Sequence, residues 1–87
     1  MSTGITLYTT RYCPYCIRAR ELLDHKGAEY QDLAVDDDPR LRGEMMTRSG
    51  RGTVPQIWIG ERHIGGYDDM QLLERQGQLD ELLEQAR

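Results

Sequence analysis

Cys13-Pro14-Tyr15-Cys16 stands where an extended run gives way to a helical one, and it holds both cysteines of this 87-residue chain. A bridge between cysteines three apart closes almost no loop, so it stabilises a fold very little. The chain must therefore fold on its own apolar core, and residues 1–87 leave room for one domain only. The pair is left for redox chemistry, for metal, or for inert burial. A structural zinc site needs four ligands, and the two histidines, His25 and His63, are not at finger spacing to the cysteines or to each other. Metal is therefore not expected. A polar, aromatic-flanked junction is also a poor place to bury inert thiols.

The surrounding pattern places the pair at a strand-to-helix junction. Ile5–Thr9 is β-branched and aromatic and reads as a buried strand. Pro14 suits the first turn of a helix, where its missing N–H costs nothing. Cys16, Ala19, Leu22 and Leu23 then recur at helical spacing, with Arg18, Arg20, Glu21 and Asp24 on the other side, and Gly27 is a natural stop. A weaker strand follows at 29–35. Asp36-Asp37-Asp38-Pro39 opens a second helix that carries Leu41 and Met45 inward and ends by Gly50. Residues 55–59 and 62–64 form a hairpin about Gly60-Glu61. Gly65-Gly66 breaks it, Asp68 or Asp69 caps a third helix, and a fourth carries Leu79, Leu82, Leu83 and Ala86. The predicted order is β-α-β-α-β-β-α-α, an α/β fold with a four-stranded mixed sheet flanked by helices.

With Cys13 at the cap, its sulfur faces the unpaired N–H groups and the positive end of the helix, and both favour thiolate over thiol. Cys16 lies one turn later on the apolar stripe, so it should be more buried and less acidic. The two sulfurs are close but unequal: Cys13 attacks and Cys16 resolves. Trp58, between Ile57 and Ile59, reads as a packed sheet residue; alternation predicts that one of these two sets is less buried. His63 reads as a hairpin surface residue and His25 as a favourable charge at a helix end.

Charge narrows the partners. The net charge is −4, and residues 52–87 hold three basic against seven acidic side chains, which supplies the deficit. That argues against nucleic acid and an anionic membrane. No run approaches the roughly 20 apolar residues of a membrane span, and no signal-peptide core is seen. A reducing cytoplasm is the expected location.

Taken together, Tyr8-Thr9 leading to Cys13-Pro14-Tyr15-Cys16, then Thr53-Val54-Pro55 and Gly65-Gly66-Tyr67-Asp68-Asp69, resemble the dithiol glutaredoxins, especially the short bacterial ones. The resemblance runs over about residues 4–84 and implies a thioredoxin-like fold with glutathione as co-substrate. It implies a cis Pro55, which only an X–Pro bond adopts cheaply, and a Val54 backbone that pairs with the cysteinyl part of glutathione like an added strand. Thr53 and Tyr15 belong to the same site. Gly66 lets the chain approach the ligand, and the N–H groups at Tyr67, Asp68 and Asp69 meet the γ-glutamyl carboxylate. Asp69 is the candidate partner for the γ-glutamyl ammonium. Many relatives carry a lysine three residues before the first cysteine; here that place is Thr10, so Arg11 or Arg51 is the candidate for the glycine carboxylate.

The implied activity is reduction of glutathione mixed disulfides and of protein disulfides by a monomer, with ribonucleotide reductase and glutathionylated proteins as the substrates the family suggests. Two other readings share the motif: a redoxin reduced by thioredoxin reductase, and a dimer holding an iron–sulfur cluster through Cys13 and glutathione.

Overall fold

The computed structural model describes residues 4–86. Four strands, β1 (Ile5–Thr9), β2 (Tyr30–Ala34), β3 (Gln56–Ile59) and β4 (Arg62–Gly65), and four helices, α1 (Pro14–His25), α2 (Pro39–Ser49), α3 (Tyr67–Arg75) and α4 (Leu79–Gln85), follow the expected β-α-β-α-β-β-α-α order among the described residues. The sheet order is β2-β1-β3-β4. β1 pairs parallel with β2, Leu7 opposite Asp32, and antiparallel with β3, Leu7 opposite Ile57. The β3–β4 hairpin carries a register shift at Ile57/Trp58.

Each face of this thin sheet has its own core. Ile5, Leu7, Ile57 and Ile59 meet Ala19 and Leu23 of α1, Met70 of α3, and Leu79 and Leu83 of α4. On the opposite face Tyr8 and Trp58 meet Met45 of α2 and Val35, which follows β2. Fully burying one such side chain stabilises the fold by roughly 1.5–3 kcal/mol. The double covering corrects the expectation for β3: Ile57, Trp58 and Ile59 are 0%, 4% and 5% exposed, so alternation chooses the helix each side chain meets and not whether it meets one. β2 is an edge strand with Gln31, Asp32 and Ala34 exposed, which explains its weak pattern.

Local signals set the helix ends. Asp38 caps α2 by accepting the Leu41 N–H at 3.1 Å, and Gly50 closes it at φ +73°. α3 departs from expectation: its cap is Gly66, not Asp68 or Asp69. Asp69 sits at the third helical position and reaches back, its Oδ2 accepting the Gly66 N–H at 2.9 Å. Leu72 of the same helix is exposed.

His63 is likewise more than a surface residue. Its ring stacks 4.5 Å from the Trp58 ring, and its Nε2 lies 2.8 Å from Gln56 Oε1. Burial, and then the Arg51 charge, push its pKa below the ordinary value. Among the described residues no helix is long and apolar enough to cross a membrane.

Candidate active site

The loop after β1 delivers Cys13 to the start of α1. Cys13 is the N-cap with extended backbone, Pro14 follows at the first helical position, and the Cys13 Sγ accepts the Cys16 N–H at 3.4 Å. A side-chain acceptor at this place satisfies one of the N–H groups a helix leaves unpaired. The same sulfur approaches the Val54 carbonyl at 3.8 Å. Both cysteines are free thiols. Cys13 is half-buried and Cys16 wholly buried. Burial pushes the Cys16 thiol up to about 12, against a backbone hydrogen bond from Thr10 that favours its thiolate. The inequality expected from one helical turn of separation is therefore built by packing.

Beside Cys13 lies an open groove of about 210 Å³. One wall is Tyr15 with Thr53, Val54 and Pro55, where the Val54–Pro55 peptide is cis, as the resemblance implied. The other is Gly66, Tyr67, Asp68 and Asp69, with Arg51 at the rim. Tyr15 and Tyr67 face each other across it with ring centroids 6.5 Å apart. Arg51 Nη1 lies 3.4 Å from Asp69 Oδ2, so this carboxylate is shared between an arginine and the helix cap. A larger hollow of about 420 Å³ opens near Gly4, Ala28 and Leu83, away from both cysteines; Glu29 is its single ionisable side chain among the described residues.

Of the two arginines considered as replacements for the lysine absent at Thr10, Arg51 reaches the groove. Arg11 does not line it: its Nε lies 3.5 Å from Asp36 and its Nη2 3.1 Å from Asp37, in the turn before α2.

The helical pattern puts Arg20 on the side of α1 opposite the apolar stripe. In the fold it is half-buried. Its Nε pairs with Asp32 on β2, and its Nη2 donates to Thr9 Oγ1 at 2.9 Å and to the Thr10 carbonyl at 3.3 Å. The available signal was its spacing: four residues after Cys16, it shares that residue's face of the helix. No group of three or more His, Cys, Asp or Glu side chains among the described residues is arranged to hold a metal ion.

A capping thiol paired with a buried one three residues on, beside a cis-proline turn, defines a dithiol oxidoreductase. Comparison with known proteins makes the class specific. The family model for Glutaredoxin matches residues 5–64. The chain is 56% identical over 79 residues to a glutaredoxin of Pseudomonas aeruginosa, covering 91% of this chain and 94% of that one. It is 50% identical over 80 residues to glutaredoxin 3 of Escherichia coli, covering 92% and 96%. The solution structure of a Brucella melitensis glutaredoxin superposes with a TM-score of 0.85 at 48% identity, covering 99% of this chain and 94% of that one. A buckwheat glutaredoxin–glutathione complex does so at 0.88 and 31% identity, covering 95% and 78%. The chain belongs to the glutaredoxin family, has the thioredoxin-like fold and is a thiol–disulfide oxidoreductase.

Proposed function

We propose that this protein is a glutathione-dependent reductase of glutathione mixed disulfides and of protein disulfides, with Cys13 as nucleophile and Cys16 as resolving thiol. The observation that carries the reading is the groove that opens beside the Cys13 sulfur, with Val54 3.8 Å from it and Asp68 and Asp69 at its far end. Glutathione is an extended tripeptide with two carboxylates and an ammonium, and the groove offers each a partner.

The cysteinyl backbone pairs with Val54, beside Thr53 and Pro55. The γ-glutamyl carboxylate meets the free N–H groups at the start of α3, from Tyr67 onward, where Gly66 brings no side chain to obstruct it. Asp68 faces the γ-glutamyl ammonium more freely than Asp69, whose Oδ2 already serves Gly66 and Arg51. Arg51 meets a carboxylate at the rim, and Tyr15 and Tyr67 close over the ligand. The buckwheat complex, alike in fold over 95% of this chain, supports a glutathione site on this scaffold.

In the reaction, Cys13 thiolate attacks the glutathione sulfur of a mixed disulfide. The old S–S bond breaks, the protein thiol departs, and Cys13 carries glutathione. A second glutathione attacks that sulfur and leaves as oxidised glutathione, restoring Cys13. With a protein disulfide, Cys13 forms the mixed disulfide and Cys16 displaces the protein.

A coupled assay on a small glutathionylated disulfide tests the reading, run with glutathione and its reductase and, separately, with thioredoxin reductase. Turnover should require glutathione. Cys13→Ser should abolish activity, and Cys16→Ser should spare deglutathionylation while impairing protein-disulfide reduction. Turnover with thioredoxin reductase alone would overturn glutathione dependence, and equal loss in both Cys16→Ser assays would overturn the division of labour.

A further inference from the structure

Cys16 poses a chemical problem on the dithiol route, on which this inference rests. The thiolate is the nucleophile in disulfide exchange, yet the Cys16 sulfur is wholly buried and burial holds it in the thiol form. Something close by has to favour the charge when it forms.

Arg20 is placed to do so. It follows Cys16 by one helical turn, and three neighbours hold its guanidinium. Asp32 takes Nε, while Thr9 Oγ1 at 2.9 Å and the Thr10 carbonyl at 3.3 Å take Nη2. Thr9 is itself wholly buried, and its hydroxyl donates to the second oxygen of Asp32, so the anchor is closed on itself. Thr10 is the residue whose backbone hydrogen bond favours the Cys16 thiolate, and the Arg20 charge acts in the same sense. Most exposed arginines swing freely and contribute little; this one is tied at both ends of its fork.

We propose that Arg20 is a positioning residue for the resolving step: anchored by Asp32 and Thr9, it holds Thr10 against the Cys16 sulfur and sets a fixed positive charge beside it. In that step Cys16 loses a proton and its thiolate attacks the Cys13 sulfur of the mixed disulfide. The Cys13–Cys16 bond forms, the bond from Cys13 to the partner breaks, and the departing thiolate takes up one proton, so charge and electrons balance. Arg20 plays no part when Cys13 hands glutathione to a second glutathione, because Cys16 is idle there.

Single-turnover kinetics test this. Cys13 is loaded as a mixed disulfide with thionitrobenzoate, whose coloured release reports attack by Cys16. An opposite charge nearby changes a thiol's ionisation by roughly tenfold or more, and the accompanying change in nucleophilicity returns about half of that on a logarithmic scale. Arg20→Met should therefore slow release by about three- to tenfold, and Arg20→Lys, which keeps the charge and loses the fork that holds Thr10, should recover part of it. First attack by Cys13 on the chromogenic disulfide, measured in a Cys16→Ser background, should change less than about twofold. Arg20→Gln is the second neutral variant if Arg20→Met does not fold.

Release at the parent rate in the neutral variant overturns the inference. So does equal slowing of the Cys13 attack, which would mean a displaced loop, or an Arg20→Lys variant as slow as the neutral one. Cys16→Ser in the protein-disulfide assay separates the two proposals: if that variant is fully active, the dithiol route itself falls, whereas an impaired Cys16→Ser beside an unaffected Arg20→Met removes only the role of Arg20.

Discussion

Gly65→Ala should be far more damaging than the loss of one glycine in a loop. Gly65 has φ +115°, a region side chains rarely enter, at a cost of about 2 kcal/mol. A methyl group there would overlap Asp69 Oδ2 and stand 2.8 Å from Asp69 Cγ and 3.2 Å from its Cβ. The carboxylate must then swing away and release the Gly66 N–H it accepts at 2.9 Å. Losing a cap of this kind costs about 1 kcal/mol. The single change should therefore cost about 3 kcal/mol in urea unfolding, and about 12–24 °C in melting temperature for a domain of this size. Asp69→Ala alone should cost about 1 kcal/mol. In the double variant the cap is already gone, so the total should stay near 3 kcal/mol and fall about 1 kcal/mol short of the sum. Strict additivity, or a Gly65→Ala loss below about 1 kcal/mol, would refute the claim that this glycine exists to seat Asp69.

Two further outcomes follow from the electrostatics. Arg51→Ala should raise KM for glutathione by about three- to tenfold with little change in kcat, whereas Arg11→Ala, whose partners are Asp36 and Asp37 outside the groove, should leave both within twofold; steady-state kinetics at varied glutathione distinguish them. His63 has a folded-state pKa below its ordinary value of 6.5, chiefly from burial. The unfolded chain therefore takes up its proton first as pH falls, so the stability tied to neutral His63 is complete above 6.5 and is lost on going down through the folded pKa. The urea midpoint should drop across that window in the parent and drop less in His63→Asn; parallel curves would remove His63 as a source of the slope.

The two cysteines and the proline between them could be read in advance because each is a matter of neighbouring residues, whereas the cis turn at Val54–Pro55 followed only from the resemblance to the glutaredoxins. A capping sulfur, a Pro at the first helical position and an Asp38 that accepts the Leu41 N–H all act within one turn of chain. The same locality misled at α3. Asp68 and Asp69 both look like caps, and only the course of the backbone through Gly65 decides that Gly66 takes the position and Asp69 supports it from inside the helix. Trp58 and its isoleucines were ambiguous for another reason: a period of two names the faces of a strand but cannot say that α2 covers one of them.

Arg11, Arg51 and Arg20 show where that boundary lies. From the sequence, Arg11 and Arg51 were equal candidates for the cation of the site, and Arg20 belonged to the polar side of α1. Chain crossings decide between them: Arg11 meets the acids before α2, Arg51 meets Asp69 eighteen residues away, and Arg20 reaches across to β2 and back to Thr10. The sequence alone determined the chemistry available, an unequal dithiol at a helix start, because capping, turn formation and helical periodicity act over a few bonds. Only the tertiary structure decided which charges stand beside that dithiol. Electrostatic and hydrogen-bond partners are chosen by distance in space, and in this fold that distance is set by the order of the strands and the helices packed on both faces.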